Sequence, residues 1–477
     1  MTAADEAEVG ALASRFPGSF AFGAATAAYQ VEGAVDADGR GPSIWDTFSH
    51  TPGRTRDGAT GDNACDHYRR WEADLDLMAE LGLRTYRFSV AWPRVQPGGR
   101  GPANAAGLDF YDRLVDGLLA RGIEPWVTLY HWDLPQALED AGGWTDAGIA
   151  ERVGEYASIV ARRLGDRVGR WITLNELRTH AFIGHAVGRH APGRHGWATG
   201  LRVAHNGLLA HAHATRAIRA ASRGARVGIC HDVADLVPGG PEPEHADAVR
   251  RHDGAMHRWF LDPTFGRGYP ADMVAWYAEH GLLDGIDLDK VTPAEPIDFL
   301  AVNYYRRERI VAAPVREDWG IGARVLEGVG EHTGNGWEVW PDGLRAVLTR
   351  IRDDYDPREL AITENGATYP DIVSPDGSIA DDERRRYLER HLGALADARD
   401  AGVPVNAYFV WSLLDNFEWG EGYGHRFGIV HVDFETQRRT VKGSGLWYRD
   451  LLRADQDPVT GDMNQRDDGR AHGHQLR

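Results

Sequence analysis

Short apolar runs recur along this chain, and most of them stop abruptly in polar or aromatic residues. Between them lie longer stretches with helical spacing of apolar positions. The strand-like runs are 20–29, 85–90, 124–130, 171–175, 226–230, 297–303, 360–363 and 405–411. Helical spacing is read at 66–81, 108–120, 146–164 and 201–221, in several helices between about 247 and 280, and at 343–355 and 381–400. Residues 429–434 look like an extra hairpin arm. Gly82 and Gly122 follow two of the helical stretches, where glycine commonly stops a helix.

Eight strands alternating with helices imply right-handed crossovers and a closed parallel sheet. The expected fold class is α/β, a single (β/α)8 TIM barrel over 15–453 with long loops at the C-terminal face of the strands. Residues 1–14 are expected to form a flexible arm, and 454–477 a polar, disordered tail. No internal repeat or linker divides the chain.

The polar residues at the strand ends carry the chemistry. Arg87 lies on the second strand, and the third delivers His131-Trp132-Asp133. The fourth ends in Asn175-Glu176, the sixth in Asn303-Tyr304-Tyr305, and the seventh in Glu364-Asn365-Gly366. Barrel enzymes build their sites from residues in these positions. Two glutamates presented alike suggest glycoside hydrolysis, in which one carboxyl attacks the sugar and the other handles the leaving-group proton. Either glutamate alone is more often a solvated loop residue.

Composition narrows the partners. The net charge is −18, which disfavours nucleic acid and anionic membranes. No apolar run is long enough for a membrane span, and residues 1–10 contain no signal-peptide core. A cytoplasmic location is expected. Cys65 and Cys230 make neither a disulfide framework nor a metal site. Of 53 basic residues only Lys290 and Lys442 are lysine, a bias attributed to genome composition. Sixteen tryptophans offer sugar-stacking faces, although most tryptophans serve as core anchors. His211-Ala212-His213 has the spacing of a metallohydrolase pair, but it lies inside a helix, where the two side chains cannot share a face. No metal and no cofactor is expected.

From about Phe16 to Leu452 the chain resembles glycoside hydrolase family 1, the β-glucosidase family. The matching segments are Gln30-Val31-Glu32-Gly33, Tyr130 to Pro135, Thr173 to Glu176, Asn303 to Tyr305, Ile362 to Gly366 and Trp411 to Trp419. The resemblance implies a retaining β-glycosidase, most simply a β-glucosidase acting on small soluble β-glucosides. A β-galactosidase, β-fucosidase or transglycosylase on the same site is the alternative, and a catalytically inactive carbohydrate-binding barrel is the rival outside that class. The resemblance also implies Glu364 as nucleophile and Glu176 as acid/base, with Arg87, Tyr305 and Asn303 supporting the nucleophile. By the same resemblance Gln30, His131, Trp132, Asn175, Glu418 and Trp419 bind the sugar, Trp411 is its stacking floor, and Trp337 faces the aglycone. Arg87 is expected to favour the charge on Glu364. Glu418-Trp419 is intact, which implies substrates without a 6-phosphate. Two features depart from expectation. Leu177 stands where the family usually has proline, and Arg306 to Arg309 is strongly charged and reads as a solvated rim.

Overall fold

The computed structural model describes residues 3–291, 295–315 and 321–454. Eight parallel strands pair in chain order, and the first closes on the eighth. They are Ala21–Ala25, Thr85–Ser89, Glu124–Tyr130, Arg170–Asn175, Arg226–Asp232, Phe299–Asn303, Leu360–Asn365 and Val405–Trp411. Nearly every strand residue is buried, because the barrel interior packs one face and the surrounding helices pack the other. The lower interior is aromatic: Trp126 meets Phe409 at 4.9 Å and Phe299 at 5.5 Å. Gly23 is required there, since a Cβ would lie 2.4 Å from Thr85 and 2.7 Å from Phe409.

Register shifts interrupt the ladder between Ile172 and Asn175 and between Ile362 and Glu364. Both fall just before a catalytic candidate, where a bulge re-aims a side chain. Gly366 then lets the chain pass the eighth strand, where a Cβ would lie 1.8 Å from the Trp411 carbonyl oxygen.

The segment expected to be a loose arm is instead a helix, Ala3–Ala13, which packs on the closing helix Gly443–Ala454. Val9 and Ala13, four residues apart, supply its buried face. The closing helix itself was missed; it buries Trp447, Tyr448, Leu451 and Leu452. The expected hairpin arm is present as Val430–Asp433 paired with Arg438–Val441. The expected polar tail, apart from Ala454, lies outside the described residues. Among the described residues no helix is long and apolar enough to cross a membrane.

The charged run after Tyr305 is not a solvated rim. Arg307–Ala312 is the central strand of a small sheet with Asp235–Pro238 and Ala323–Leu326. Glu308 is buried on it, bonded to Arg306 and 3.3 Å from His252. Charge hid the strand, because alternation shows only where the outward residues differ in polarity from the inward ones.

Candidate active site

Arg87 joins the strand ends from inside the barrel. Its guanidinium donates to Glu364 Oε1 at 2.7 Å, Asn175 Oδ1 at 2.6 Å, Thr128 Oγ1 at 3.1 Å and the Thr363 carbonyl at 3.1 Å. Four bonds from one planar fork tie the second strand to the third and fourth beside it and to the seventh across the barrel. Tyr305 donates to the other carboxylate oxygen of Glu364 at 2.6 Å. Glu364 thus has a guanidinium on one oxygen and a phenol on the other.

Asn303, expected beside the nucleophile, serves the other glutamate. Its amide donates to Glu176 Oε1 at 2.8 Å and more weakly to Asn175 Oδ1 at 3.3 Å, while its oxygen accepts from Thr363 at 2.7 Å. The strand register explains this placement, because Asn303 lies beside Glu364 in the ladder while its side chain reaches across toward the fourth strand. Asn175 Nδ2 donates to His131 Nε2 at 3.0 Å. That bond leaves the ring proton on Nδ1, and Nδ1 is buried without a hydrogen-bond partner among the described residues. Burial and the Arg87 charge hold His131 well below the usual histidine range, so it is neutral. Gln30 donates to Asn416 Oδ1, the Phe417 carbonyl and Glu418 Oε2, at 2.9–3.2 Å, while its own Oε1 is also left unmatched. Unmatched buried donors and acceptors at the edge of a cavity are those a ligand can satisfy.

The strand ends open into a cavity of about 900 Å³. His131, Trp132, Glu176, Asn303, Tyr305, Trp337, Glu364, Trp411, Glu418 and Trp419 line it. Arg87, Asn175 and Gln30 lie just behind this lining and hold it in place. His131 stacks near Trp411 and Trp419, each at 5.9 Å, and Trp337 tilts against Tyr305 at 5.2 Å. Three residues here adopt positive φ without being glycine: Glu176 at 45°, Trp132 at 76° and Trp419 at 50°. Each such residue stores of order 1 kcal/mol of backbone strain, which the surrounding packing must hold.

The electrostatics differ from expectation in one respect. Arg87 does favour the charge on Glu364, but burial outweighs it. Burial, with the Glu176 charge in support, pushes Glu364 up to about 7 against Arg87 and the Tyr305 hydroxyl. Glu418 is pushed up to about 8, first by burial and then by Glu364, with Gln30 opposing.

Leu177, in place of the usual proline, opens the helical stretch that runs into Thr179–Val187. Its buried side chain presses on Gly207, whose added Cβ would lie 2.2 Å from Leu177 Cδ1. The His211-Ala212-His213 pair diverges as the helix requires. His211 turns to Thr173 Oγ1 at 2.7 Å, and His213 packs by Gly154 on the neighbouring helix Ile149–Leu164.

Asp371, Asp415 and His431 have the mutual proximity of a metal site, with ligand atoms within 4.8 Å. The Lys442 ammonium lies between the two carboxylates, at 2.7 Å from Asp371 and 2.8 Å from Asp415. Arg426 reaches Asp415 at 2.8 Å, and Arg384 reaches Asp371 at 3.4 Å. The donor set is therefore an ion-pair network whose positive charge is already supplied. Sequence reasoning missed this network, and it missed Thr128 and the loop residues Arg54 and Arg189 of the cavity mouth. Thr128 carried a signal, since it follows Arg87 in the inward layer of the next strand. The two loop arginines carried none.

The comparisons agree with this geometry. The family model "Glycosyl hydrolase family 1" matches residues 12–457. Thermostable beta-glucosidase B of Thermobispora bispora is 48% identical over 92% of this chain and 90% of its own. The bifunctional beta-D-glucosidase/beta-D-fucosidase of Bifidobacterium breve is 44% identical over 92% of this chain and 98% of its own. The solved family 1 β-glucosidase of Thermotoga maritima superposes with a TM-score of 0.88 at 43% identity, covering 92% of this chain and 98% of that one. Its complex with glucoimidazole matches with a TM-score of 0.87, covering 92% and 99%. The chain belongs to glycosyl hydrolase family 1.

Proposed function

We propose that the protein is a retaining β-glucosidase that hydrolyses terminal β-D-glucosyl residues of small glucosides through a covalent glycosyl-enzyme. The observation that carries this reading is the asymmetry of the two glutamates. Glu364 is held by a guanidinium and a phenol, donors suited to an anion that attacks. Among the described residues, Glu176 has only the Asn303 amide as a hydrogen-bond donor to its carboxyl, so its other oxygen is left for a leaving group or water.

In the first step a Glu364 oxygen bonds to the anomeric carbon as the carbon–oxygen bond to the aglycone breaks. Glu176 gives its proton to the departing oxygen. The ester removes the negative charge beside Glu176, which is now the carboxylate. In the second step Glu176 takes a proton from water, the water oxygen bonds to the anomeric carbon, and Glu364 leaves. The unmatched His131 Nδ1 and Gln30 Oε1, together with Glu418 and Trp419, engage the sugar hydroxyls, and Trp411 supports its apolar face. Burial already makes Glu418 resist carrying a charge, and no cation bonds it among the described residues, so a 6-phosphate beside it would be buried without a counter-charge and unphosphorylated sugars are preferred.

Proton NMR of early hydrolysis of 4-nitrophenyl β-D-glucoside tests the mechanism. β-Glucose must appear first; α-glucose as the first product overturns it. Since the Bifidobacterium relative is named for β-D-fucosidase activity too, the sugar panel includes β-D-fucoside and β-D-galactoside. The reading includes a cytoplasmic location, supported by two buried free thiols, Cys65 and Cys230, and cell fractionation tests it.

A further inference from the structure

The mouth of the cavity is cationic on a strongly anionic protein. Net charge is −18, yet five arginines line this cavity: Arg54, Arg56, Arg178, Arg189 and Arg306. Among the described residues, apart from Glu176, Glu364 and Glu418, only two acids line it, Asp232 and Glu421.

Three of these arginines are already neutralised. Arg178 pairs with Asp232, Arg306 with Glu308, and Arg56 with Glu421 at 2.7 Å. Arg306 is further fixed by lying 4.7 Å over the Trp337 ring. The other two have no carboxylate among the described residues. Arg54 lies over Phe48 at 5.4 Å and makes one long bond, 3.5 Å, to the Gly188 carbonyl. The Arg189 side chain has no partner at all among the described residues. The two are neighbours: the loop 188–193 carries Arg189 and packs on Arg54, and the backbones of both approach Gly420, just past the sugar-binding Trp419.

Position decides which part of a substrate they meet. Glu176, Glu364 and Glu418 are buried or nearly so, whereas Arg54 and Arg189 are exposed at the rim. A glucoside that enters sugar first leaves its aglycone pointing outward along this wall. Two guanidiniums without a carboxylate partner, at the mouth of a cavity that the half-buried Trp337 ring also lines, suit an aglycone that has an apolar body and a negative group at its far end. Deeper in the pocket an anion would meet three carboxylates, so the charge must lie away from the glycosidic oxygen.

We propose that the preferred substrates are β-glucosides with an anionic aglycone, a carboxylate or sulfonate borne on an aryl or alkyl body, recognised by Arg54 and Arg189. This rests on the β-glucosidase reading and names the substrate class of that site.

The test compares β-D-glucosides of 3-(4-hydroxyphenyl)propanoic acid, its primary amide and the matching sulfonate. The two-carbon spacer keeps the leaving phenols alike in acidity, so only the distal charge differs. The expected ratio of kcat/KM, acid over amide, is above about fivefold at low ionic strength, carried mainly by KM. The ratio falls toward one at 0.5 M NaCl, as screening requires. It falls similarly in Arg54→Gln/Arg189→Gln, and by part in each single variant, with unchanged circular dichroism confirming the fold. A sulfonate preference equal to that for carboxylate marks a charge-reading site; a carboxylate preference alone marks bidentate recognition, and both support the proposal. A wild-type ratio at or below one, or a ratio that survives both substitutions, overturns it. If 4-nitrophenyl β-D-glucoside is also not turned over, the β-glucosidase reading itself falls, and this inference with it.

Discussion

The loop that follows the eighth strand touches two buried acid clusters with opposite electrostatics. Glu418, near its end, joins Glu364 and Glu176 in the sugar cavity, where, among the described residues, Arg87 is the one cation bonded to any of these three carboxylates. Asp415, three residues earlier, joins Asp371 beneath the loop, surrounded by Lys442, Arg426, Arg384 and His431. Burial opposes the charge in both places. At Asp415 the cations overrule it and hold the carboxyl well below the usual range, with Lys442 the largest opposing influence. In the cavity they do not, so Glu364 and Glu418 rise to about 7 and 8. The lesson is that cation supply, not depth, separates a buried lock from a buried reaction site. One of only two lysines is buried here, its compact ammonium seated between two carboxylates.

The largest effects come from the cavity glutamates. On the proposed assignment Glu364→Ala removes the attacking group, and hydrolysis of every substrate is expected to fall by more than roughly 10³-fold. Glu176→Ala is expected to fail differently. With dinitrophenyl glucoside the leaving group needs no proton, so the intermediate accumulates and a burst precedes a slow steady state. Azide then attacks that intermediate and yields the β-glycosyl azide, whereas in Glu364→Ala it takes the nucleophile's place and yields the α-azide. Proton NMR of the anomeric product checks the pairing, and the reverse pairing breaks the role assignment.

The lock is broken by Lys442→Met, which leaves Asp371 and Asp415 buried with less compensation. Removal of one partner from such a pair destabilises by about 3–5 kcal/mol, read by thermal denaturation. A loss below ~1 kcal/mol would show that the arginines alone suffice.

Stability against pH contrasts the clusters directly. The Glu418 carboxyl is raised by folding, so its contribution is complete below about 4.5 and is lost as pH rises through about 8. Glu418→Gln is therefore expected to gain about 1–2 kcal/mol over wild type at pH 8 and little at pH 4.5, while sugar binding suffers. Asp415 is lowered, so its contribution is present above about 4 and lost in acid. Asp415→Asn must then destabilise at pH 7, the opposite sign.

A smaller effect concerns Tyr305. Its hydroxyl lowers Glu364, so Tyr305→Phe moves the acid limb of kcat/KM to higher pH, by about half a unit or more. A limb that stays in place means that Arg87 alone sets the nucleophile.

These contrasts divide what the sequence revealed from what it hid. The strands 124–130 and 405–411 were legible to the residue, because apolar runs bounded by strand-end chemistry need no partner to be seen. The strand-end positions of Glu176 and Glu364 were legible for the same reason. The partner of Asn303 was not, since a side chain's direction depends on the register of two strands far apart in sequence. Lys442, Asp371 and Asp415 come from three separate loops, and their convergence leaves no local pattern. Helix Ala3–Ala13 was masked by its acidic start, although Val9 and Ala13 already had helical spacing.

The smallest effect is expected at Leu177, and it asks whether Glu176 is posed by its backbone or by its hydrogen bonds. Leu177 opens a helical stretch, where a backbone N–H has no partner within the helix and proline is tolerated. Two consequences of Leu177→Pro pull against that tolerance. The leucine side chain leaves its contact with Gly207, a packing loss of about 1–2 kcal/mol. Proline also restricts the residue before it, and Glu176 holds a φ of 45°. The single variant is expected to melt a few degrees lower and to lose less than about tenfold in kcat, because the Asn303 bond still holds the Glu176 carboxylate. Gly207→Ala, added to it, fills the space that Leu177 vacated and improves the helix by up to about 1 kcal/mol. The double variant should therefore regain melting temperature without regaining kcat. If kcat returns along with stability, packing rather than backbone restriction limited the single variant. If the single variant loses 10²-fold or more, the φ of Glu176 is itself part of the catalytic geometry, and leucine stands at 177 to permit it.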